Sequence, residues 1–270
     1  MIEVPENAVI LARRPLGVIL REENPETGDI HIIKILVPPV TLPRPVFNSL
    51  LGNMKKESET IQKLKSRRIL KPEEIKSDKS RVLIRFQDPS LSSLAGYLKR
   101  ESPLEGKKIM TLLKKIIWIF DRLKKNGIKR YQVDPALFPL DEKSAEPKYL
   151  DTAFFNPSKF PELFAMGYLD GPPQFVAPEV LAGNPPSQKA DMFFTASIAR
   201  LLVKGKPPYP DSSPVAAAAF SISNPAPAID LPDREKSAEL DELFSKAMNA
   251  DPEKRLVSRD EFMNRLEEIV

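Results

Sequence analysis

The sequence contains no cysteine and a single histidine, His31, among its 270 residues. The lack of cysteine excludes disulfide bonds, thiolate-ligated zinc or iron–sulfur sites, and a thiol nucleophile. With one histidine, a His-based metal site and a Ser-His-Asp triad are also disfavoured. Glycine is scarce at 10 residues, and proline is abundant at 28. The absence of cysteine together with many Lys and Glu residues is compatible with a thermophilic source.

Long apolar runs are missing as well. The longest are interrupted by Lys, Arg or Pro, well short of the roughly 18 residues that a membrane span needs. The N-terminal sequence MIEVPENAVILARR places acidic residues before its short apolar run, whereas a secretory signal starts basic. We therefore expect a cytoplasmic protein with no transmembrane segment. The net charge of +4 allows weak attraction to anions and does not by itself indicate nucleic-acid binding.

The composition is that of a globular protein, with 41% hydrophobic and 29% charged residues. The first third reads as strands with one helix. β-Branched and apolar runs predict short strands over 8–36, a helix near 46–66, and a strand pair near 69–75 and 81–86.

From residue 90 the apolar spacing becomes helical. Helices are predicted over 90–100, 105–125, 189–203, 236–249 and 259–269. Two short strands are expected within 133–151, an irregular stretch over 152–175, and mostly loop over 205–232. Because strands and helices are segregated along the chain, the fold class is α+β rather than doubly wound. We divide it into a small β-rich lobe over 1–88 and a larger helical lobe over 89–270.

Four short motifs then occur in a fixed order. Residues Gly171–Glu179 read GPPQFVAPE and resemble G-T-P-x-Y-x-A-P-E. Residues 190–194 (ADMFF) resemble S-D-V-W-S, 204–209 (KGKPPY) resemble T-G-x-x-P-F/Y, and 251–255 (DPEKR) resemble D-P-x-x-R. One such motif is weak evidence, but four in order are specific. Over its whole length the chain resembles eukaryotic-like Ser/Thr protein kinases, most closely their bacterial branch, which implies a two-lobed kinase-like fold.

The resemblance implies structural roles for three residues. Glu179 of the A-P-E motif would form a buried ion pair with Arg255 of the D-P-x-x-R motif. Asp191 would hydrogen-bond the backbone of the catalytic-loop region. All three residues would support the fold whether or not the protein catalyses a reaction.

Part of the nucleotide site of the family is also retained. The segment His31-Ile32-Ile33-Lys34 matches V-A-I-K, and its lysine would pair with Glu57 on the following helix. The metal-binding aspartate of D-F-G corresponds to Asp151, followed by Thr and Ala instead of Phe and Gly. If nucleotide binds, the resemblance implies ATP and Mg²⁺ held by Lys34, Glu57 and Asp151.

The segment that resembles the catalytic loop of the family differs at the positions that carry its chemistry. The family motif H-R-D-L-K-P-x-N aligns with residues 130–137, RYQVDPAL. The base Asp becomes Gln132, which cannot carry a proton as a carboxylate does. The loop Lys becomes Asp134, a reversal of charge, and the metal-ligand Asn becomes Leu137, which has no side-chain oxygen. The Thr of G-T-P becomes Pro172.

The glycine-rich lid over the phosphates is shortened. Leu16-Gly17 runs directly into the next strand, about five residues short of the family pattern L-G-x-G-x-x-G-x-V. A cradle of backbone amides for phosphate is therefore not expected. Ile32 replaces a small Ala and would intrude on the purine site.

Several of these features also have a purely structural interpretation. Lys34 and Glu57 could be a structural pair that holds the small-lobe helix, with Asp151 a leftover turn residue. Asp134 could serve as a substitute base, although Asp is common in turns. His31 is expected to be a packed or surface residue. Five phenylalanines of the irregular segment would be a partner-binding patch if exposed, but we favour their burial: Phe154, Phe155, Phe160, Phe164 and Phe175.

Basic clusters could bind phosphates or acidic lipid, or could be solvated helix faces, which we favour. They comprise Lys63, Lys65, Arg67, Arg68, Lys107, Lys108, Lys114, Lys115, Lys124 and Lys125.

We therefore predict a pseudokinase with no catalytic or metal site and no required cofactor. It would act in signalling as a scaffold or allosteric partner of another protein, such as a kinase or a signalling complex. One alternative is a weak or atypical ATP-dependent transferase that uses Lys34, Glu57 and Asp151. A second is an anion, nucleic-acid or membrane-surface binding module that uses the basic helix faces, with nucleic acid disfavoured.

Overall fold

A computed structural model describes residues 7–37, 39, 41–78, 81–207, 219, 227–256 and 258–270. Residues 208 and 209 of the KGKPPY motif, and most of the predicted loop over 205–232, lie outside the described residues. Within the described part, no helix is long and apolar enough to cross a membrane.

The small lobe is built on a five-stranded antiparallel sheet. Its strands are β1 (Ala8–Arg14), β2 (Gly17–Glu23), β3 (Ile30–Leu36), β4 (Glu74–Ser77) and β5 (Val82–Gln87), in the order β1-β2-β3-β5-β4. Strand β3 lies in the middle of this sheet, with Lys34 opposite Ile19 of β2 and Ile84 of β5. The strand predicted near 69–75 starts later, because Ile69 forms only an isolated bridge to Tyr149.

The helix of the small lobe, α1, spans Arg44–Lys63. A proline fits in its first turn, because a backbone N–H at that position would have no acceptor within the helix. Its buried face includes Leu50, Met54 and Ile61 at helical spacing. Glu57 falls on the same face, and this spacing carries its carboxylate into the interior.

The large lobe begins with β6 (Ser92–Ser93), α2 (Leu94–Glu101) and α3 (Gly106–Lys125). Helix α3 buries a broad apolar stripe and ends before Gly127, whose φ of +76° favours glycine. Strands β7 (Pro139–Asp141) and β8 (Glu146–Pro147) complete a three-stranded sheet with β6.

Helix α6 (Gln188–Lys204) is buried along nearly its whole length and packs against α3 and the helix over Arg234–Ala247. Helices α7 (Arg234–Ala247) and α8 (Arg259–Ile269) agree with the predicted ones to within two residues. Two short helices, α4 (Glu162–Ala165) and α5 (Pro178–Leu181), were not predicted because four residues show no full helical period.

The phenylalanine-rich segment folds onto the large lobe. All five of its phenylalanines are at most 8% exposed, so the expectation of burial is confirmed: Phe154, Phe155, Phe160, Phe164 and Phe175. Phe155 and Phe164 meet edge to face, with centroids 5.0 Å apart. This segment therefore forms a wall beside the cleft between the lobes.

Candidate active-site cleft

Lys34 extends from β3 into the cleft and is 1% exposed. Its Nζ donates hydrogen bonds to Asp151 Oδ2 at 3.0 Å and to the backbone oxygen of Ala153 at 2.8 Å. Burial lowers the pKa of Lys34, and the nearby Asp151 charge opposes that shift. The predicted pairing of Lys34 with Glu57 is therefore wrong, because the ammonium binds the carboxylate of Asp151 instead.

Glu57 is bound by a different cation, Arg130, whose role the sequence analysis did not identify. Arg130 Nη2 donates to Glu57 Oε2 at 2.9 Å, and the guanidinium is 3% exposed. Asn156 Nδ2 donates to the other Glu57 oxygen at 2.7 Å. Although burial alone would raise it, the pKa of Glu57 is lowered, chiefly by the charge of Arg130.

Asp151 accepts four hydrogen bonds. Its Oδ1 accepts from Arg130 Nε at 3.0 Å and from the Tyr149 hydroxyl at 2.9 Å. Its Oδ2 accepts from Lys34 Nζ at 3.0 Å and from Arg130 Nη2 at 3.2 Å. A carboxylate offers about four lone-pair positions, so these donors use all of them. The interpretation of Asp151 as a leftover turn residue is therefore wrong.

Lys34, Glu57, Arg130 and Asp151 together form what we call the buried ion cluster. Two cations and two carboxylates give the cluster a net charge of zero, and each member is at most 6% exposed. Burial opposes ionisation of Asp151, yet the charges of Arg130 and Lys34 hold its pKa well below the usual range. The cluster joins β3, α1 and two segments of the large lobe, so it ties the lobes together.

Gln132, at the position that the resemblance aligns with the catalytic aspartate of the family, bridges two backbone segments. Its Nε2 donates to the oxygen of Gly171 at 3.0 Å, and its Oε1 accepts from the amide of Asp170 at 2.9 Å. Both ends of the amide side chain are therefore engaged. Leu137, at the position that the resemblance aligns with a metal-ligand Asn, is partly buried and packs against the hydrophobic core.

Asp134 binds the shortened lid. The turn between β1 and β2, residues 14–17, carries Arg14, whose Nη2 forms an ion pair with Asp134 Oδ2. Arg14 Nε also donates to the backbone oxygen of Asp170 at 2.8 Å. The reversal of charge at Asp134 thus provides a carboxylate that holds the β1–β2 turn against the large lobe. Pro172 follows soon after Asp170 and immediately precedes the 3-10 turn Pro173–Phe175.

Phe154 fills the space beneath the β1–β2 turn. Its ring is 1% exposed, and Lys34 Nζ lies 5.9 Å from the ring centroid. A Cβ placed on Gly17 would overlap both the Phe154 ring and the backbone oxygen of Ile35. Glycine is therefore required at this close approach. Ile32, whose bulk was expected to intrude on a purine, is 7% exposed and belongs to the same core.

The ion pair expected between Glu179 and Arg255 is present. Arg255 Nη1 and Nη2 donate to the two Glu179 oxygens at 2.7 and 2.9 Å, a two-pronged pair in which Arg255 is 3% exposed. Asp191 lies beside the catalytic-loop region as expected, but its predicted partners are wrong. It accepts from the hydroxyl of Tyr131 and pairs with Lys124, through side chains rather than backbone.

Several members of the basic clusters are engaged in ion pairs within the chain. Lys114 pairs with Glu267, and both Lys115 and Arg68 pair with Glu146. His31 lies on β3 with its Nε2 3.4 Å from a Glu73 oxygen, in agreement with a packed or surface position. No group of three or more His, Cys, Asp or Glu that could hold a metal occurs among the described residues.

Comparison with known proteins identifies the family to which the two-lobed fold belongs. Residues 16–265 match the family model of the protein kinase domain. The chain is 23% identical over 251 residues to the serine/threonine-protein kinase PknD of Mycobacterium tuberculosis, covering 92% of this chain and 37% of that protein. It is 22% identical over 181 residues to the serine/threonine-protein kinase pkn3 of Myxococcus xanthus, covering 64% and 33%. The chain thus spans about a third of the length of these relatives.

Solved structures show the same fold. A mutant form of the kinase domain of Mycobacterium tuberculosis PknI superposes with a TM-score of 0.63 at 19% identity, covering 96% of this chain and 93% of that one. Rad53 residues 1–466 in complex with AMP-PNP gives a TM-score of 0.62 at 15% identity, covering 98% and 66%. The β-sheet lobe, the helical lobe and the matched family model together lead to one conclusion: this chain belongs to the protein kinase family.

Proposed function

We propose that this chain is a catalytically inactive kinase-like domain, a pseudokinase, that acts in signalling as a scaffold or allosteric partner of another protein. The observation that carries this proposal is the saturation of Asp151. All of its lone-pair positions are used by donors of the chain itself, namely Arg130, Lys34 and Tyr149. A magnesium ion needs carboxylate oxygens as ligands, and none is left free at Asp151.

The surroundings of Asp151 support the same proposal. Phosphoryl transfer requires a base, a second metal ligand and a cover over the phosphates. Gln132 and Leu137 supply neither a proton acceptor of suitable pKa nor a metal ligand. Phe154 fills the space beneath the β1–β2 turn, and Arg14 holds that turn down on Asp134. Mg²⁺–ATP therefore does not fit this arrangement of side chains.

The test is nucleotide binding and phosphoryl transfer by the wild-type chain. A ligand at 100 times its Kd stabilises a protein by about 2.7 kcal/mol, which corresponds to a rise in Tm of about 5–10 °C for a chain of this size. We expect no rise with millimolar ATP and Mg²⁺ or Mn²⁺, and no transfer of labelled γ-phosphate to a generic protein substrate. An active bacterial Ser/Thr kinase domain in the same assays is the positive control.

Transfer by the wild type that is lost in Asp151→Asn would contradict the proposal and favour the weak transferase. Asp141→Asn is the matched control, since it removes a carboxylate from the β7–β8 turn, outside the cleft and the buried ion cluster. Transfer that persists in both variants would indicate a contaminating kinase, and repeat purification would remove it.

The binding part of the proposal is tested through the exposed apolar side chains. Among the described residues, the large exposed ones are Val9 (65%), Met166 (52%) and Trp118 (42%). Crosslinking in source-cell extract, followed by mass spectrometry, is expected to identify one recurrent partner whose crosslinks disappear in Trp118→Ala or Met166→Ala. A partner set that is identical for wild type and for a heat-unfolded sample would contradict specific binding.

A further inference from the structure

Asp170 connects three separate parts of the cleft, and the family motifs assign it no role. Its backbone amide donates to Gln132 at 2.9 Å, and its backbone oxygen accepts from Arg14 at 2.8 Å. Its Oδ2 accepts from the amides of Phe154 at 2.9 Å and Phe155 at 3.1 Å. The lid, the catalytic loop and the segment after Asp151 therefore meet at one residue.

The other carboxyl oxygen of Asp170 lacks these partners. Asp170 is 5% exposed, and its Oδ1 is buried with no hydrogen-bond partner among the described residues. A buried ionised carboxylate with one oxygen that accepts no hydrogen bond from the chain is costly, whereas the neutral acid form carries a much smaller penalty. The geometry therefore favours a carboxyl group that holds a proton.

The charges around Asp170 do not compensate an additional anion. Lys34 and Arg130 act on it from β3 and from the catalytic loop, but both are neutralised within the buried ion cluster. Arg14 approaches from the β1–β2 turn and is paired with Asp134. The segment that caps its Oδ2 contributes the apolar side chains of Phe154 and Phe155. Lys159 pairs with Glu57 and not with Asp170, so an ionised Asp170 would have no cation of its own within the described part of the chain.

We propose that Asp170 is a proton-dependent latch, which holds the segment of Phe154 and Phe155 on the β1–β2 turn and catalytic loop and loosens when its carboxyl ionises. Burial raises the pKa of Asp170 to about 7. The hydrogen bonds from the two backbone amides and the charges of Arg130 and Lys34 act in the opposite direction but are outweighed. The closed segment binds this proton more tightly than the opened one does. Its stability therefore falls as pH rises from the ordinary aspartate range to about 7, and then levels off.

Hydrogen exchange of the Phe154 and Phe155 amides tests the latch directly. Between pH 5.5 and pH 8.0 the wild-type protection factors, corrected for intrinsic exchange, are expected to fall about 30-fold, because the carboxyl pKa changes from about 3.9 when opened to about 7 when closed. Asp170→Asn mimics the neutral acid and is expected to show little pH dependence. The controls are Asp141→Asn, a substitution at the start of the β7–β8 turn, and His31→Gln. Their protection factors should show the same pH dependence as those of the wild type.

Two results would overturn the latch. The first is a wild-type protection factor that does not change with pH, and the second is an equal decrease in Asp170→Asn, which would locate the titration elsewhere. If Asp170→Asn fails to fold, carboxyl ¹³C NMR of the wild type decides the question. One aspartate is expected to titrate with a midpoint near 7, and the absence of any such carboxyl between pH 6 and 8 would refute the proposal. Neither measurement depends on whether the chain transfers phosphate, so this inference stands or falls apart from the proposed function.

Discussion

Replacing Arg130 with alanine tests the buried ion cluster most directly. Arg130 is the only member that binds both carboxylates, with contacts of 2.9 Å to Glu57 and of 3.0 and 3.2 Å to Asp151. Its loss would leave Glu57 without its buried cation and Asp151 with Lys34 alone. Removing one partner of a buried ion pair costs about 3–5 kcal/mol, because each remaining carboxylate loses its strongest buried partner. Lys34 at Asp151 and the partly exposed Lys159 at Glu57 offset only part of this loss.

The expected loss of about 3–5 kcal/mol corresponds to a decrease in Tm of about 6–20 °C for a chain of this size. The assay is urea unfolding at pH 7 with Tm by calorimetry as a second readout. Arg259→Ala is the matched control, since Arg259 also forms a two-pronged pair, with Asp121 at 2.8 and 2.9 Å, but its side chain is 40% exposed. A pair so open to solvent contributes about 0–1 kcal/mol.

The reasoning would be refuted if Arg130→Ala destabilised the protein no more than Arg259→Ala does. Arg130→Lys refines the test, because a lysine keeps the charge but lacks the fork that reaches two carboxylates. We expect its stability to lie between those of the wild type and Arg130→Ala. A cycle with Asp151→Asn is expected to show coupling of at least about 1 kcal/mol, as for residues within one network.

Contacts elsewhere in the molecule lead to three further predictions. Gly17→Ala should lower the free energy of unfolding in urea by at least about 1–3 kcal/mol, because its Cβ would overlap backbone and ring atoms. Gly52→Ala, in open space within α1, should raise it by about 0.5–1 kcal/mol. Equal effects of the two substitutions would contradict the close approach at Gly17. Glu179→Ala should cost about 3–5 kcal/mol because it strands a buried arginine, and a loss below about 1 kcal/mol in the same assay would refute this. The pKa values of Asp151 and Glu57 are lowered in the folded state, so the unfolded state binds more protons in acid. The free energy of unfolding should therefore fall as pH decreases below about 4. A free energy of unfolding that does not change with pH in this range would contradict a charged cluster.

Motifs in the sequence predicted the parts of this molecule that depend on local pattern. The two-lobed order follows from the change of apolar period near residue 90, and the pair between Glu179 and Arg255 follows from two motifs. Burial of the phenylalanines follows from the cost of exposing five rings in a short segment. The lobe order and the burial of the phenylalanines use residue type and spacing alone, whereas the Glu179–Arg255 pair is what the family resemblance implies.

Pairings within the cleft could not be predicted in that way. Lys34 was assigned to Glu57, but the tertiary structure places Arg130 between them, and Arg130 comes from a loop without periodicity. The available signal was that Arg130 stands where the family motif H-R-D-L-K-P-x-N begins with His. Asp170 gave no signal, because its importance depends on four contacts made with three distant segments.

The altered positions of the cleft share one physical consequence. In the protein kinases that the chain resembles, the aspartate at the position of Asp151 binds a metal ion. In this chain Arg130 provides the neutralising charge at Asp151, Asp134 provides the anchor for the lid, and Gln132 ties the loop to the segment before Pro172. These contacts come from the chain itself, so they hold the two lobes together without depending on a ligand. A surface that depends on lobe closure would then be present continuously, which is the property that a scaffold requires, and protonation of Asp170 is the means by which the proposed latch would adjust it.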